Sequence, residues 1–187
     1  MFSYYKDHAL LEEELKGSEH SVAGLVQDGR IYVTGIADKK FEREIFMQYE
    51  NIVPSLLRNE TQEAIVEAVR AAVAAIDLTD GGFHADVIVG ENNRPYILEV
   101  GGRPGGEMIN SHLIPLAYDG YSPYQQLLNI LSNDAATLDA DRYRNPTMRA
   151  GSRIVRAPRT GRIKEIKGLE KVARHAAVRL LMPMKGP

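Results

Sequence analysis

The amino-terminal half of the chain begins its regular patterning with two short runs rich in apolar and β-branched residues, at positions 21–26 and 31–36. Both have the length of a strand, and the Asp28-Gly29 dipeptide between them is a strong hairpin signal. Residues 37–58 show weaker periodicity and contain Pro54, so we expect a long loop with short pieces of structure.

Beyond residue 58, apolar residues recur at the spacing of helices. Asn59, with Gln62 three positions on, resembles a capping box and predicts a helix start. A further helix is expected through 108–116, and another after Ser122-Pro123, a cap followed by proline at the first helical position. Apolar residues at helical spacing form one face of the first of these helices: Ile65, Ala68, Val69, Ala72 and Ile76. On the last helix we expect a buried stripe formed by Tyr124, Leu127, Leu128 and Leu131.

The last part of the chain suggests strands at 152–157, 162–167 and 177–182, with a short helix near 168–175. Together these patterns predict an α+β protein in which an antiparallel sheet is backed by helices. We expect one domain over residues 1–140 and a small, basic, β-rich subdomain over residues 141–187.

Two carboxylates stand out in the middle of the chain. Asp86 and Glu99 lie in apolar, strand-like runs on either side of the polar turn 91–94. A two-residue or four-residue loop would make them direct cross-strand partners, and opposed like charges call for a cation. Two hard oxygen ligands favour Mg²⁺ over zinc. A register slip of one residue would instead send the two side chains to opposite faces, and a nearby Arg could also satisfy one of them.

A glycine-rich run at 101–106, which contains Arg103, comes directly after Glu99. Glycines allow close approach of backbone to an anion, and a helix beginning near Gly105 or Gly106 would aim free N–H groups beside Glu99. This suits a phosphate-bearing ligand, although a simple strand-to-helix connection explains the run equally well. His84 shares a strand face with Asp86 and is a packed neutral ring, a substrate contact or a proton carrier.

Composition narrows the functional classes. The 187 residues contain no cysteine, which excludes disulfides and thiolate chemistry and favours a cytoplasmic setting. No apolar run approaches the length of a membrane span, and the first residues lack an export signal. Residues 1–141 carry a formal charge of about −13 and residues 142–187 about +11. The basic part has few aromatics and its charges alternate with apolar residues. This favours a strand face, or a surface that docks on the acidic remainder, over nucleic-acid binding.

Five elements in fixed order connect these observations: the segment 11–22, Asp38-Lys39-Lys40, Pro54, the segment 84–87, and the segment 98–106. Together they resemble the carboxyl-terminal part of ATP-grasp enzymes, especially carboxylate–amine (dipeptide-type) ligases. The resemblance covers roughly residues 8–135.

The resemblance implies a set of nucleotide-binding residues. A hinge strand at 11–15 would recognise adenine, with Glu12 and Leu15 presenting main-chain groups, and Glu19 would hold the ribose hydroxyls. Asp86 and Glu99 would bind the Mg²⁺ ions that bridge the phosphates of ATP.

Arg103 would act in catalysis by steadying an acyl-phosphate, the intermediate through which such ligases join a small carboxylate to an amine. The chain departs from the family in having Gly101 where many relatives carry a third metal ligand, Asn. The family's other ATP-binding lobe has no counterpart here, so we expect an incomplete protein that needs that lobe or a second copy. A noncatalytic assembly module that forms a dimer, and a bicarbonate-using carboxylase, are the alternatives.

Overall fold

The computed structural model describes residues 11–45, 47–132, 138–157 and 159–182. The chain divides into two compact units, Met1–Ile154 and Val155–Pro187. The first unit contains one six-stranded antiparallel sheet. Its strands, in chain order, are β1 Gly17–Gln27, β2 Arg30–Glu42, β3 Met47–Val53, β4 Gly81–Gly90, β5 Pro95–Gly101 and β6 Ala150–Arg153, arranged in space as β5-β4-β1-β2-β3-β6.

Helices lie in the connections between these strands. The longest is α1, Asn59–Ala75. The others in this unit are a π-turn at Ile109–Leu113 continued by α2 Ile114–Ala117, then α3 Pro123–Leu131, and two 3₁₀ turns at Arg43–Ile45 and Ala140–Arg144. The expected α+β fold, an antiparallel sheet with helices against it, is confirmed.

Each face of the sheet carries its own apolar core. On one face, α1 packs through Ile65 and Val69, as the sequence spacing predicts, and also through Val73, which the predicted face did not include. Ile76, which the prediction placed on this face, follows the end of α1 and is 44% exposed. The opposite face is covered by residues 109–118 and by Leu138 and Tyr143. Residues of one strand therefore alternate between two environments, and this alternation fixes the placement of the polar residues described below.

The two hairpins differ in how well the sequence predicts them. Between β1 and β2, Asp28 and Gly29 both have positive φ, 50° and 72°, and form the expected two-residue turn. Between β4 and β5 the loop has three residues, ending at Asn93 with a φ of 59°. This shifts the pairing by one residue, and an extra residue on β5, Leu98, shifts it back. Asp86 therefore faces Glu99 as predicted, although the turn is not the one expected.

The expectation of a long loop over 37–58 is wrong. β2 continues through Lys39 and Lys40 to Glu42, and β3 pairs with it antiparallel. Although this hairpin is rich in polar residues, backbone hydrogen bonds between β2 and β3 stabilise it. Ion pairs between the strands also stabilise it, such as Lys40 Nζ with Glu50 Oε1 at 2.6 Å.

Details of the helices also depart from expectation. Asn59 is the first residue inside α1 and makes no cap; the side chain of Gln62 instead donates from Nε2 to the carbonyl of Leu57 at 2.7 Å. Ser122 does cap α3, accepting from Gln125 N at 3.3 Å. The buried stripe expected on α3 is only partly correct, because Leu127 packs on the core together with Ile130, whereas three members of the stripe are exposed: Tyr124, Leu128 and Leu131.

The carboxyl-terminal region is less regular than the sequence suggests. The expected strand at 152–157 is shorter, ends at Arg153, and belongs to the main sheet as β6. Over residues 159–182 no strand forms, so those expected at 162–167 and 177–182 are wrong, whereas a helix, α4 Leu169–Ala173, lies within the predicted range. The predicted boundary at residue 140 differs from the division after Ile154, because β6 pairs with β3. None of the helices in the described ranges is long and apolar enough to cross a membrane.

Candidate functional site

The side chain of Asp86 is the centre of a polar cluster on the sheet face opposite α1. Three groups converge on its Oδ1 atom: Ser21 Oγ donates at 2.8 Å, Lys39 Nζ at 3.0 Å, and His84 Nε2 lies at 3.2 Å. They come from β1, β2 and β4. Ser21 is the direct cross-strand partner of Asp86, so pairing in the sheet accounts for this contact.

The electrostatics of the cluster keep Asp86 ionised. Burial by itself would raise the pKa of this carboxyl, but the hydrogen bond from His84, the charge of Lys39 and the hydroxyl of Ser21 together hold the pKa well below its usual range. The Lys39 side chain is 8% exposed and that of Asp86 24%, so this ion pair is largely shielded from water. It is therefore a specific contact rather than a solvated surface pair.

One oxygen of Asp86 remains available to a ligand. No described residue donates to its Oδ2 atom. Glu99, which faces Asp86 across the hairpin, is 63% exposed, and its one charged contact within the described ranges is Arg103 Nη2, 3.9 Å from Oε1. Carboxylate oxygens from adjacent strands are thus open on the same face of the sheet.

This donor set fits a hard divalent cation that takes the rest of its ligands from elsewhere. No cluster of three or more metal-ligating side chains exists among the described residues. Mg²⁺ is commonly held by one or two carboxylates, with water and phosphate oxygens completing its shell. The magnesium ligation predicted for Asp86 and Glu99 stays a prediction, and the geometry is compatible with it.

The glycine run lies directly against this cluster. A Cβ atom at Gly105 would come within 2.3 Å of His84 Nδ1, so only glycine fits there. The carbonyl of Gly105 accepts from Asn110 Nδ2 at 3.3 Å. His84 Nδ1 is buried and has no partner among the described residues.

The helix expected at Gly105 or Gly106 is displaced. Glu107 and Met108 adopt left-handed backbone, with φ of 56° and 63°, and helical structure begins at Ile109. The N–H of Ile109 bonds to the carbonyl of Gly106 at 3.2 Å. A direct helix start at the glycines is therefore wrong, because the left-handed pair turns the chain before the helix begins.

Glu107 is a site residue that sequence reasoning missed. Its carboxylate accepts from Gln48 Nε2 and, at 3.3 Å, from Asn51 Nδ2. Asn51 is the cross-strand partner of Lys39, which places Glu107 on the same face as the Asp86 cluster. The sequence does not predict this position of Glu107, because β3 lies in a range expected to be a loop. The two left-handed residues after the glycines also match no known turn motif.

The residues predicted to bind nucleotide are only partly brought together. Glu19 pairs with Ile88 on β4, two positions from the Ser21 pair, so it shares the face of Asp86. Glu12 and Leu15 precede β1 in residues 11–16, which carry no regular structure, so the expected hinge strand does not form. The pairing of β1 with β4 begins at Gly17 and Gly90. Because Gly90 is the last residue of β4, this strand offers no partner to residues 11–16.

An antiparallel sheet with helices on both faces and a polar cluster around Asp86 define the kind of domain to be compared with known proteins. A family model described as an ATP-grasp domain matches residues 2–112, and the chain belongs to the ATP-grasp family. Two curated relatives are D-alanine–D-alanine ligases. The one from Vesicomyosocius okutanii is 30% identical over 117 residues and the one from Ruthia magnifica 28% over 116. Each alignment covers 60% of this chain and 39% of the relative.

Solved structures of ligases and carboxylases are also similar to this chain. The L-amino acid ligase from Bacillus licheniformis superposes with a TM-score of 0.72 at 26% identity, over 87% of this chain and 41% of that one. A biotin carboxylase from Campylobacter jejuni matches with a TM-score of 0.56 at 19% identity, over 70% and 28%, which shows a shared fold alone. The chain thus spans about two fifths of the ligases that it resembles.

Proposed function

We propose that this chain is the metal- and phosphate-handling part of an ATP-dependent ligase that joins a carboxylate to an amine. The observation that carries the proposal is the cross-strand pair Asp86 and Glu99, which leaves carboxylate oxygens open beside the buried ammonium of Lys39. The similarity to D-alanine–D-alanine ligases and to an L-amino acid ligase supports this reaction class.

In such a reaction the γ-phosphoryl group of ATP moves to the substrate carboxylate, giving an acyl phosphate and ADP. The amine then attacks the acyl carbon, and phosphate leaves. Bound at Asp86 and Glu99, Mg²⁺ would neutralise charge on the phosphate oxygens. Lys39 lies 3.0 Å from Asp86 and adds a fixed positive charge on the same face. Arg103, which is 63% exposed and lies 3.9 Å from Glu99, would steady the transferred phosphoryl group.

The carboxylate of Glu107 suits a cationic substrate group. Gln48 and Asn51 hold it by neutral amides, so no described side chain neutralises its charge. An amino acid carries an ammonium group that such a carboxylate binds, and this favours amino acids among the possible substrates.

Isothermal titration of the full chain with ATP and Mg²⁺ tests the proposal. We expect Mg²⁺-dependent ATP binding that falls at least tenfold in Glu99→Gln and in Asp86→Asn. Glu91→Gln is the matched control, since Glu91 is an exposed carboxylate in the loop of the same hairpin. Wild-type affinity in Glu99→Gln, which removes no buried contact, would overturn the assignment, as would an equal loss in the Glu91 control. Release of ADP with amino acids present would show that the chain needs no further lobe for turnover.

A second candidate, self-association without catalysis, is favoured by the exposed apolar edge of α3. Leu128 is 60% exposed and Leu131 64%. Exposed apolar side chains on adjacent turns are typical of surfaces that bind a partner. Light scattering over a range of protein concentrations would show a dimer if this is correct, and a strict monomer would contradict it.

A further inference from the structure

A second polar network lies on the other face of β1 and is separate from the Asp86 cluster. Ser18 Oγ lies 2.7 Å from His20 Nε2, and His20 Nδ1 lies 2.9 Å from Asp38 Oδ1. Side chains alternate along a strand, so Ser18 and His20 face the α1 side, whereas Ser21 faces Asp86. The proposed ligase chemistry makes no use of this network.

The carboxylate of Asp38 is fixed from three directions. Besides His20, Ser55 Oγ donates to Oδ1 at 2.5 Å and the backbone N–H of Leu56 to Oδ2 at 2.7 Å. Burial acts to raise the pKa of Asp38, but these hydrogen bonds outweigh burial and lower it. Asp38 is therefore an acceptor, and the network assigns the His20 proton to Nδ1.

This tautomer leaves the lone pair of His20 Nε2 directed at Ser18. The His20 residue is only 2% exposed, so its ring is held in place, whereas Ser18 is exposed to solvent. A hydroxyl within hydrogen-bond reach of a base, with the base oriented by a third group, is the arrangement that activates a serine nucleophile.

We propose that Ser18, His20 and Asp38 form a second reactive site, in which Ser18 Oγ is acylated by activated carboxylic esters and phosphonylated by fluorophosphonates. With an ester, Ser18 Oγ bonds to the carbonyl carbon and its proton passes to His20 Nε2. The bond to the alcohol breaks, and the departing alcohol takes that proton. Water then cleaves the acyl group from Ser18, with His20 accepting a proton from the water and returning one to Ser18. With a fluorophosphonate, Ser18 Oγ bonds to phosphorus, its proton passes to His20 Nε2, the P–F bond breaks and fluoride leaves.

The chain contains its own matched control. Ser111 is exposed and its Oγ lies 2.8 Å from His112 Nδ1, but no carboxylate among the described residues contacts that ring. Ser111 therefore has a histidine neighbour without the group that orients it. A purely structural role for the Ser18 network, tying the turn at 54–57 to the sheet, gives no reason for Ser18 to react faster than Ser111.

The full chain is incubated with a fluorophosphonate, and the modified residue is identified by peptide mass spectrometry. We expect Ser18 to be labelled about 100-fold faster than Ser111, the size of effect that a positioned general base gives. The Ser18 label should disappear in Ser18→Ala and when the chain is first unfolded in concentrated urea. Hydrolysis of p-nitrophenyl acetate should fall to the buffer rate in Ser18→Ala. Equal labelling of both serines, or no label on Ser18 in the folded chain, would overturn the proposal.

Discussion

Replacing Gly105 by alanine should disrupt the centre of the candidate site. The added Cβ atom would meet the His84 ring at 2.3 Å from Nδ1 and 2.9 Å from Cγ and Cε1, far inside ordinary contact. The ring cannot move away freely, because His84 is 8% exposed and its Nε2 contacts Asp86 at 3.2 Å.

The expected cost follows from these contacts. Overpacking of a buried position costs about 1–3 kcal/mol, and weakening a hydrogen bond to a charged group costs about 1.5–3 kcal/mol. Because the backbone relaxes in part, we expect the free energy of unfolding to fall by about 3 kcal/mol, which corresponds to about 6–12 °C in melting temperature for a chain of this size.

Gly106→Ala is the matched control for this substitution. Gly106 is the next residue along the chain, is exposed, and has no atom within 4 Å of the position that a Cβ would take. Its replacement should change the free energy of unfolding by less than about 0.5 kcal/mol. Urea unfolding followed by circular dichroism measures both variants. A Gly105→Ala variant as stable as Gly106→Ala would refute the argument.

A double-mutant cycle identifies the cause of the loss. If the clash with the His84 ring is responsible, Gly105→Ala should cost little in a His84→Ala background, because the ring that it meets is gone. A coupling energy of at least about 1 kcal/mol is expected, as is usual for residues in direct contact. Additive costs would place the effect in the backbone of the glycine run instead.

Other consequences can be measured on the same chain. Asp86→Asn should lower the free energy of unfolding in urea by about 2–3 kcal/mol because it leaves Lys39 buried without its charge partner, whereas Glu99→Gln, at an exposed position, should change it by less than about 0.5 kcal/mol. The folded-state pKa values of Asp38 and Asp86 are lowered, so their stabilising effect is complete above the unfolded value of about 4 and is lost as pH falls through the folded values. Stability measured against pH should therefore drop below about pH 4, and it should drop less steeply in Asp86→Asn. Ser122→Ala should cost about 1 kcal/mol in thermal unfolding through loss of the α3 cap.

The sequence predicts the carboxylate pair correctly, but for an incomplete reason. Counting residues across a two-residue or four-residue turn places Asp86 opposite Glu99, and the structure confirms that pairing. The actual loop has three residues, and the bulge at Leu98 compensates for the difference. Bulges depend on how a strand packs against its neighbours, so this cancellation cannot be derived from local turn signals.

The environment of Asp86 was less predictable. Lys39 and Lys40 are adjacent in sequence, and such pairs are usually solvated. Once β2 extends through them, alternation sends Lys39 to the Asp86 side, while Lys40 pairs with Glu50. The wrong expectation of a loop over residues 37–58 therefore left out Lys39, the charge partner of Asp86, because weak periodicity does not exclude a strand whose two faces are both partly polar.

Packing fixes which face of β1 carries each polar network. Gly24 lies against the ring of Phe83, and a Cβ at that position would come within 2.1 Å of the ring. A slip of β1 by one residue would bring Ala23 or Leu25 to this place, where no side chain fits, and would exchange the faces of Ser18 and Ser21. The apolar contact at Gly24 thus selects the register in which Ser21 meets Asp86 and Ser18 meets His20. Both networks depend on the same buried contact, although neither includes it.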